Sequence, residues 1–269
     1  MASWRSGYAE DCKSLHPGSI PGEASTSLLQ RAAGGALCRN QGGATQMALT
    51  TLDQDAAAQR LKMVNGQLRV CDVNDLDLLA AFLDTPREAF VAPEMARFAY
   101  IDGDQPSLGS QTRRLLPPSV LARLLQAAEL KPGERVLDVG GGAGYGAAIL
   151  ERLGARVVAL ESDAGAAAAA RKLLNGRAGI ETVEGDLAAG AKGRGPFAVI
   201  VVEGAFEVSP DSLLAELAEK GRLVGIDARE GAPVGILIER LANGFGRRAL
   251  FDAGAACLES FKRAPRFAF

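Results

Sequence analysis

The chain has 269 residues, of which 48% are hydrophobic and 23% charged, so it is neither wholly disordered nor fibrous and suits one large domain with an appendage. With 30 basic against 32 acidic residues the net charge is -2, which argues against a nucleic-acid binder held by a broad basic surface. Uncharged stretches reach about a dozen residues, short of the ~18 a bilayer-spanning helix needs, so a soluble protein without membrane association is expected.

Residues 1–46 mix Pro, Gly, Ser, Thr and Ala without a sustained period and read as a disordered extension or a start assigned too far upstream, with Met47 resembling a normal start. From Asp53 the pattern turns helical, with Leu61, Val64 and Leu68 on one stripe. Asn74 is the expected N-cap of the apolar run Leu76 to Leu83, which Pro86 ends. Residues 47–117 are read as a small helical layer that forms no sheet of its own.

Residues 118–269 change rhythm. A helix is expected over Val120 to Leu130, and strands over Arg135 to Val139, Arg156 to Leu160, Ile180 to Val183, Phe197 to Val202 and Arg222 to Ile226. Helices are expected over Tyr145 to Leu153, Asp163 to Leu174 and Asp211 to Lys220. Near-continuous apolar strands alternating with helices indicate an α/β fold, a doubly wound and mostly parallel sheet. Val234 to Glu239 and Arg247 to Asp252 read as a closing antiparallel hairpin around Asn243-Gly244.

The sharpest motif is Asp138-Val139-Gly140-Gly141-Gly142-Ala143-Gly144-Tyr145, between a strand and a helix. Glycines there permit a tight turn and close approach of a ligand, and the helix start offers free N–H groups. A dinucleotide fingerprint would place its third glycine at Tyr145, so the pattern is Gly140, Gly142 and Gly144 instead. Glu161 ends the next strand, about 20 residues on, where an acid can accept from both hydroxyls of a ribose. Asp186 ends the third strand, where it can accept from an adenine amino group or simply cap a helix. Glu203 ends the fourth, near the reacting end of such a ligand. Tyr145, Ser162 and Leu187 flank these positions and complete the candidate cofactor set.

Cysteines stand at 12, 38, 71 and 257 with no paired spacing, as in a reducing cytoplasm. The single histidine, His16, removes histidine-based triads and the common zinc sites from consideration, and no metal is expected.

These motifs resemble S-adenosylmethionine-dependent methyltransferases, and within them the protein-L-isoaspartate O-methyltransferases. The resemblance spans Asp53 to Phe269 and rests on Met63 to Arg69, Pro86-Arg87-Glu88-Ala89-Phe90-Val91, Leu116 to Leu125 and the glycine turn, with a carboxyl end like that of a bacterial subgroup. It implies a seven-stranded Rossmann-like methyltransferase sheet with an antiparallel C-terminal hairpin, S-adenosyl-L-methionine as cofactor, and methyl transfer to the carboxylate of damaged aspartyl residues in peptides or proteins. Members of that family carry a hydroxyl residue two places before the proline that starts the helix ahead of the glycine turn. In this chain that place is Leu116, which cannot hydrogen-bond a carboxylate. Thr112 or Ser110 then becomes the candidate catalytic hydroxyl, and Arg113 or Arg114 the candidate holder of an acceptor carboxylate. Two alternatives stand beside this one: the same build with a small-molecule acceptor, and a catalytically silent cofactor-binding module. A nicotinamide-dependent dehydrogenase is disfavoured by Tyr145 at the third glycine position and by the lack of a histidine proton shuttle.

Overall fold

The computed structural model describes residues 55–264, so the reading of residues 1–46 and the last five residues of the subgroup-like carboxyl end lie outside the described residues. Helix α1 (55–63) continues into a wide turn, Val64–Leu68, which buries Val64 and Leu68 as the apolar stripe requires. Helix α2 (Leu76–Asp84) is capped not by Asn74 but by Asp75, whose carboxylate accepts from the N–H groups of Asp77 and Leu78. The side-chain cap must sit directly before the first helical residue to reach those amides. Asn74 and Asp75 instead donate their own N–H groups to Gln126 Oε1, fastening α2 to α3 (Pro118–Ala127).

The helical layer, expected to form no sheet of its own, does contain a small one. Strands β1 (Gln105–Pro106) and β2 (Arg114–Leu115) pair antiparallel, and the Ser107 N–H donates to the Arg113 carbonyl across the turn between them. Such short strands are invisible to periodicity because two residues carry no alternation.

The main sheet comprises β3 (Arg135–Val139), β4 (Arg156–Glu161), β5 (Ile180–Glu184), β6 (Phe197–Phe206), β7 (Leu217–Asp227), β8 (Val234–Leu241) and β9 (Gly244–Asp252), in the order β5-β4-β3-β6-β7-β8-β9. Strands β3 to β7 pair parallel, while β8 is antiparallel to β7 and β9 to β8. Helices α4 (Tyr145–Arg152), α5 (Ala164–Leu173) and α6 (Asp211–Ala215) lie in the crossovers. Chain order leaves β3 in both directions, to β4 on one side and β6 on the other. The turn after β3 therefore opens on the switch point, where ligands bind in open α/β sheets.

The expected helix from Asp211 to Lys220 is shorter, and β7 begins at Leu217. Leu217 pairs with Phe197, then the ladder lapses and resumes at Arg222 opposite Val199, with Lys220 in a left-handed conformation, φ 59°. Leu213 and Leu214 lie in α6, and Leu217 continues their helical spacing although it opens the strand. In the hairpin, Leu241 pairs with Gly244, so the turn residues are Ala242 and Asn243 rather than Asn243-Gly244.

The two sheet faces build two cores. Val136, Val157, Ala159, Val199 and Val201 pack toward α1 to α4, while Leu137, Val139, Val158, Ile200 and Val202 pack on the opposite face. This strict alternation within each strand decides which way every strand-end side chain points.

Candidate active site

Asp138 follows Val136 by two on β3, Glu161 follows Ala159 by two on β4, and Glu203 follows Val201 by two on β6. By alternation all three carboxylates face the helical layer, and because their strands are neighbours they gather at the carboxyl ends around the glycine turn. Each is buried, with 1–2% of its surface exposed.

Their environments differ. No well-formed hydrogen bond from an N–H group reaches the oxygens of Asp138 or Glu203, although the Ala147 N–H lies near enough to pull against the rise of Asp138. A proton held between the two acids is what can satisfy them, with Asp138 as the donor. Burial raises Asp138 far above the usual carboxylate range, and the charges of Glu203 and Glu161 add to it. Burial also pushes Glu203 up to about 7, against the opposing pull of the Asp138 hydrogen bond and Arg87.

Arg87 is the countercharge. It is fully buried, its Nε donates to the Ala99 carbonyl at 2.9 Å and its Nη2 to the Leu116 carbonyl at 2.7 Å, and its guanidinium lies 4.8 Å from the Tyr145 ring centroid. Burial lowers its affinity for the proton, and the charge of Glu203 works the other way. The Tyr145 ring packs edge-on against Phe82 and Phe90, and burial pushes its hydroxyl up to about 12. The structure thus turns Tyr145, expected beside the cofactor, into the helical-layer core.

A falling stability profile follows from Glu203. Its folded value near 7 exceeds the ~4.3 of an unfolded glutamate, so the native state binds the extra proton. Stability of the ligand-free protein therefore falls, by on the order of 3 kcal/mol from Glu203 as pH rises from ~4.3 to ~7, and the raised Asp138 adds to the fall and carries it beyond that window. Glu203→Gln should lessen the slope of this segment without abolishing it, since the buried Asp138 still binds a proton, and leave the variant more stable than wild type above pH 7. Urea midpoints at pH 5, 6, 7 and 8 check it, and parallel curves for the two proteins would remove Glu203 as the titrating group.

Glu161 is saturated. It accepts from Arg113 Nε at 3.1 and 3.0 Å, from Arg113 Nη2 at 2.8 Å, and from the N–H groups of Gly142 (3.0 Å), Ser162 (2.7 Å) and Asp163 (2.9 Å). Ser162 accepts through its hydroxyl from the same guanidinium. Gly142 has φ 62°, and a Cβ there would strike the Ser107 hydroxyl and lie 3.2 Å from Arg113 Cγ. The space beside the turn is thus covered by the β1–β2 loop. Gly140 is covered by Leu187 and by Leu258, whose methyls lie 3.1–3.3 Å from its notional Cβ. Leu258 arrives on a tail paired to the end of β6 through the Ala205–Cys257 bridge. Gly144 backs onto Leu174 of the neighbouring helix end.

Asp186 is exposed and accepts from the Ala188 N–H, capping a short turn with one oxygen. Of the two candidate hydroxyls, Ser110 donates to Asp163 at 2.6 Å and holds the N–H groups of Thr112 and Arg113. It clamps the loop to the cap of α5. Thr112 lies 3.5 Å from the same carboxylate and borders a small cavity together with Arg113, Arg114, Leu116 and Glu203. Sequence reasoning missed Arg87, Ser107 and Leu258 as parts of the site. Arg87 stood in the quoted Pro-Arg-Glu-x-Phe-Val segment, and a charge among apolar neighbours was its only signal.

Three buried acids at neighbouring strand ends, gathered around a glycine turn at the switch point, form the kind of crevice in which open α/β sheets hold nucleoside ligands. The fold and this site define an S-adenosylmethionine-dependent methyltransferase. The profile of the family Protein-L-isoaspartate(D-aspartate) O-methyltransferase (PCMT) matches residues 60–240, and the chain belongs to that family. Among similar proteins, the protein-L-isoaspartate O-methyltransferase of Methylorubrum populi is 41% identical over 62% of this chain and 78% of its own length. That of Methanoculleus marisnigri is 37% identical over 74% and 89%. A solved protein-L-isoaspartate O-methyltransferase shares the fold with TM-score 0.65 and 24% identity, covering 74% of this chain and 65% of that one. One from Plasmodium falciparum, solved with S-adenosyl-L-homocysteine, gives 0.63 and 20%, covering 74% and 97%. Among the described residues no helix is long and apolar enough to cross a membrane.

Proposed function

We propose that the chain methylates the free carboxylate of isoaspartyl residues in damaged proteins. S-adenosylmethionine supplies an electrophilic methyl on a sulfonium. In this reading Glu161 accepts from its ribose, Gly140 and Gly142 give the backbone room to approach it, and Asp138 and Glu203 meet its ammonium. Asp186 retains one oxygen for the adenine amino group, with Leu187 beneath. The observation that carries the acceptor assignment is the small cavity bordered by Asp104, Thr112, Arg113, Arg114 and Glu203: two guanidinium-bearing side chains and a hydroxyl set among two acids whose carboxyls burial raises. A carboxylate acceptor is already ionised at neutral pH and needs no general base, which suits a site without imidazole. The residues' work is alignment of an oxygen with the methyl and exclusion of water. Leu116 takes the position of the family hydroxyl, and its side chain is buried, so Thr112 is the hydroxyl proposed to meet the acceptor. The free thiols Cys71 and Cys257 support a reducing, cytoplasmic setting.

Methyl transfer from labelled cofactor to an isoaspartyl peptide should exceed transfer to its aspartyl control by orders of magnitude. Thr112→Val should lower kcat/KM for the peptide about 10- to 100-fold with cofactor affinity unchanged, the range for one lost hydrogen bond to a charged group. Equal labelling of both peptides, or of neither, would defeat the isoaspartyl assignment.

A further inference from the structure

A carboxylate offers about four lone-pair positions, and in this structure those of Glu161 are filled by three backbone N–H groups and the Arg113 guanidinium. The backbone donors are fixed by the glycine turn and by the start of α5. Arg113 is the one partner that can leave. While it stays, Glu161 has no acceptor to give to a ribose.

Arg113 has a second neighbourhood. Its side chain also borders the cavity with Asp104, Thr112, Arg114, Leu116 and Glu203, at the end of the site where an acceptor carboxylate would enter. The buried Leu116 side chain offers that carboxylate nothing. A guanidinium removed from one buried carboxylate needs another, and its planar fork suits a bidentate pair.

We propose that Arg113 is an exchangeable cation that holds Glu161 in the ligand-free protein and passes to the acceptor carboxylate once the cofactor ribose takes Glu161. The acceptor half of this rests on the isoaspartyl reading above. The exchange couples the two ligand sites. Cofactor must bind before acceptor, because the group that recognises the acceptor is otherwise engaged on Glu161. No bond is made or broken in the exchange, which moves one cation between two carboxylates.

Arg113→Met tests this. The substitution keeps an unbranched apolar stem for the loop. Glu161 retains its three backbone donors, so the fold should survive, and thermal unfolding would report whether it does. Calorimetry should show S-adenosylhomocysteine binding the variant about tenfold more tightly than wild type, since no ion pair has to be displaced. With saturating cofactor, the KM for an isoaspartyl peptide should rise at least tenfold, the scale of a lost charge-assisted hydrogen bond. Wild type should bind that peptide only when S-adenosylhomocysteine is present, and Arg113→Lys should recover part of the peptide binding. A loop merely loosened by the change would weaken both ligands. Unchanged or weaker S-adenosylhomocysteine binding in Arg113→Met overturns the exchange. Tighter cofactor binding with an unchanged peptide KM overturns the acceptor half. Tighter cofactor binding in a protein whose wild type methylates no isoaspartyl peptide upholds the release from Glu161 and defeats the functional reading instead.

Discussion

Arg87→Met should destabilise the fold by about 3–5 kcal/mol, the range for breaking a buried, hydrogen-bonded charge. Methionine can occupy much of the volume, so the loss is not chiefly a cavity. It comes from four vacated interactions. The carbonyls of Ala99 and Leu116 lose their donors in a region closed to water. The Tyr145 ring loses the cation stacked on it. Glu203 loses the nearby positive charge that opposes its protonation. The two carbonyl contacts hold the helical layer together from the turn after α2 to the loop before α3, while Tyr145 on α4 and Glu203 on β6 relate it to the sheet, so the layer should loosen both within itself and against the sheet. Arg87→Lys separates charge from geometry. It keeps the charge but cannot donate to both carbonyls in a planar fork, and should recover less than half of the loss. Combining Arg87→Met with Glu203→Gln should cost less than the sum of the two single changes, because the acid that relied on Arg87 is gone. Urea unfolding of the four proteins measures all of this. A loss below about 1 kcal/mol for Arg87→Met would show that the buried guanidinium is not holding the layers together.

How much of this was legible in the sequence depends on the range of the interaction. Strands β3, β4 and β6 were readable because a parallel strand buried on both faces is apolar nearly throughout, and the edge strand β5 because glycine-bearing turns bracket its short run. The strand-end acids Asp138, Glu161 and Glu203 were readable for the same reason, as charges that close apolar runs. Their division of labour was not. Glu161 is satisfied by an arginine 48 positions away, while Asp138 and Glu203 are left to share a proton, and that contrast depends on where the β1–β2 loop lies. The two-residue strands β1 and β2 are too short to alternate, and Leu217 at the start of β7 continues the helical spacing of Leu213 and Leu214. The Leu258 tail sits over Gly140 and Gly204 only because the chain returns along β6, a route no local pattern encodes. The hydroxyls of Ser110 and Thr112 looked equivalent in sequence. Burial and the bond to Asp163 give Ser110 a place in holding the loop.

Gly146→Ala is expected to disable the site although it adds one methyl group to a helix interior. In an ordinary exposed helix the change would stabilise by up to ~1 kcal/mol, since glycine is the poorer helix former. Here the sign reverses. Gly146 lies in the first turn of α4, and a Cβ there would overlap the Glu203 Oε1 atom and come within 2.7 Å of its Cδ. The absence of a side chain at Gly146 is what lets Glu203 lie against the helix beside Asp138. With alanine in place, either α4 lifts from the sheet or Glu203 swings out of its buried position, and overpacking of this kind costs about 1–3 kcal/mol. Both routes separate the two acids proposed to meet the cationic end of the cofactor, so binding of S-adenosylhomocysteine should fall at least tenfold, the effect of losing one charge-assisted contact. The pair of variants Gly146→Ala and Gly146→Ala with Glu203→Ala distinguishes strain from lost chemistry. Removing the Glu203 carboxylate frees space for the new methyl and removes a buried acid, so the double variant should regain most of the lost stability. It should not regain cofactor affinity, because the carboxylate itself is gone. Thermal unfolding gives the first quantity and calorimetry the second. A Gly146→Ala protein that is as stable as wild type and binds the ligand equally well would show that Glu203 does not need the space that glycine leaves.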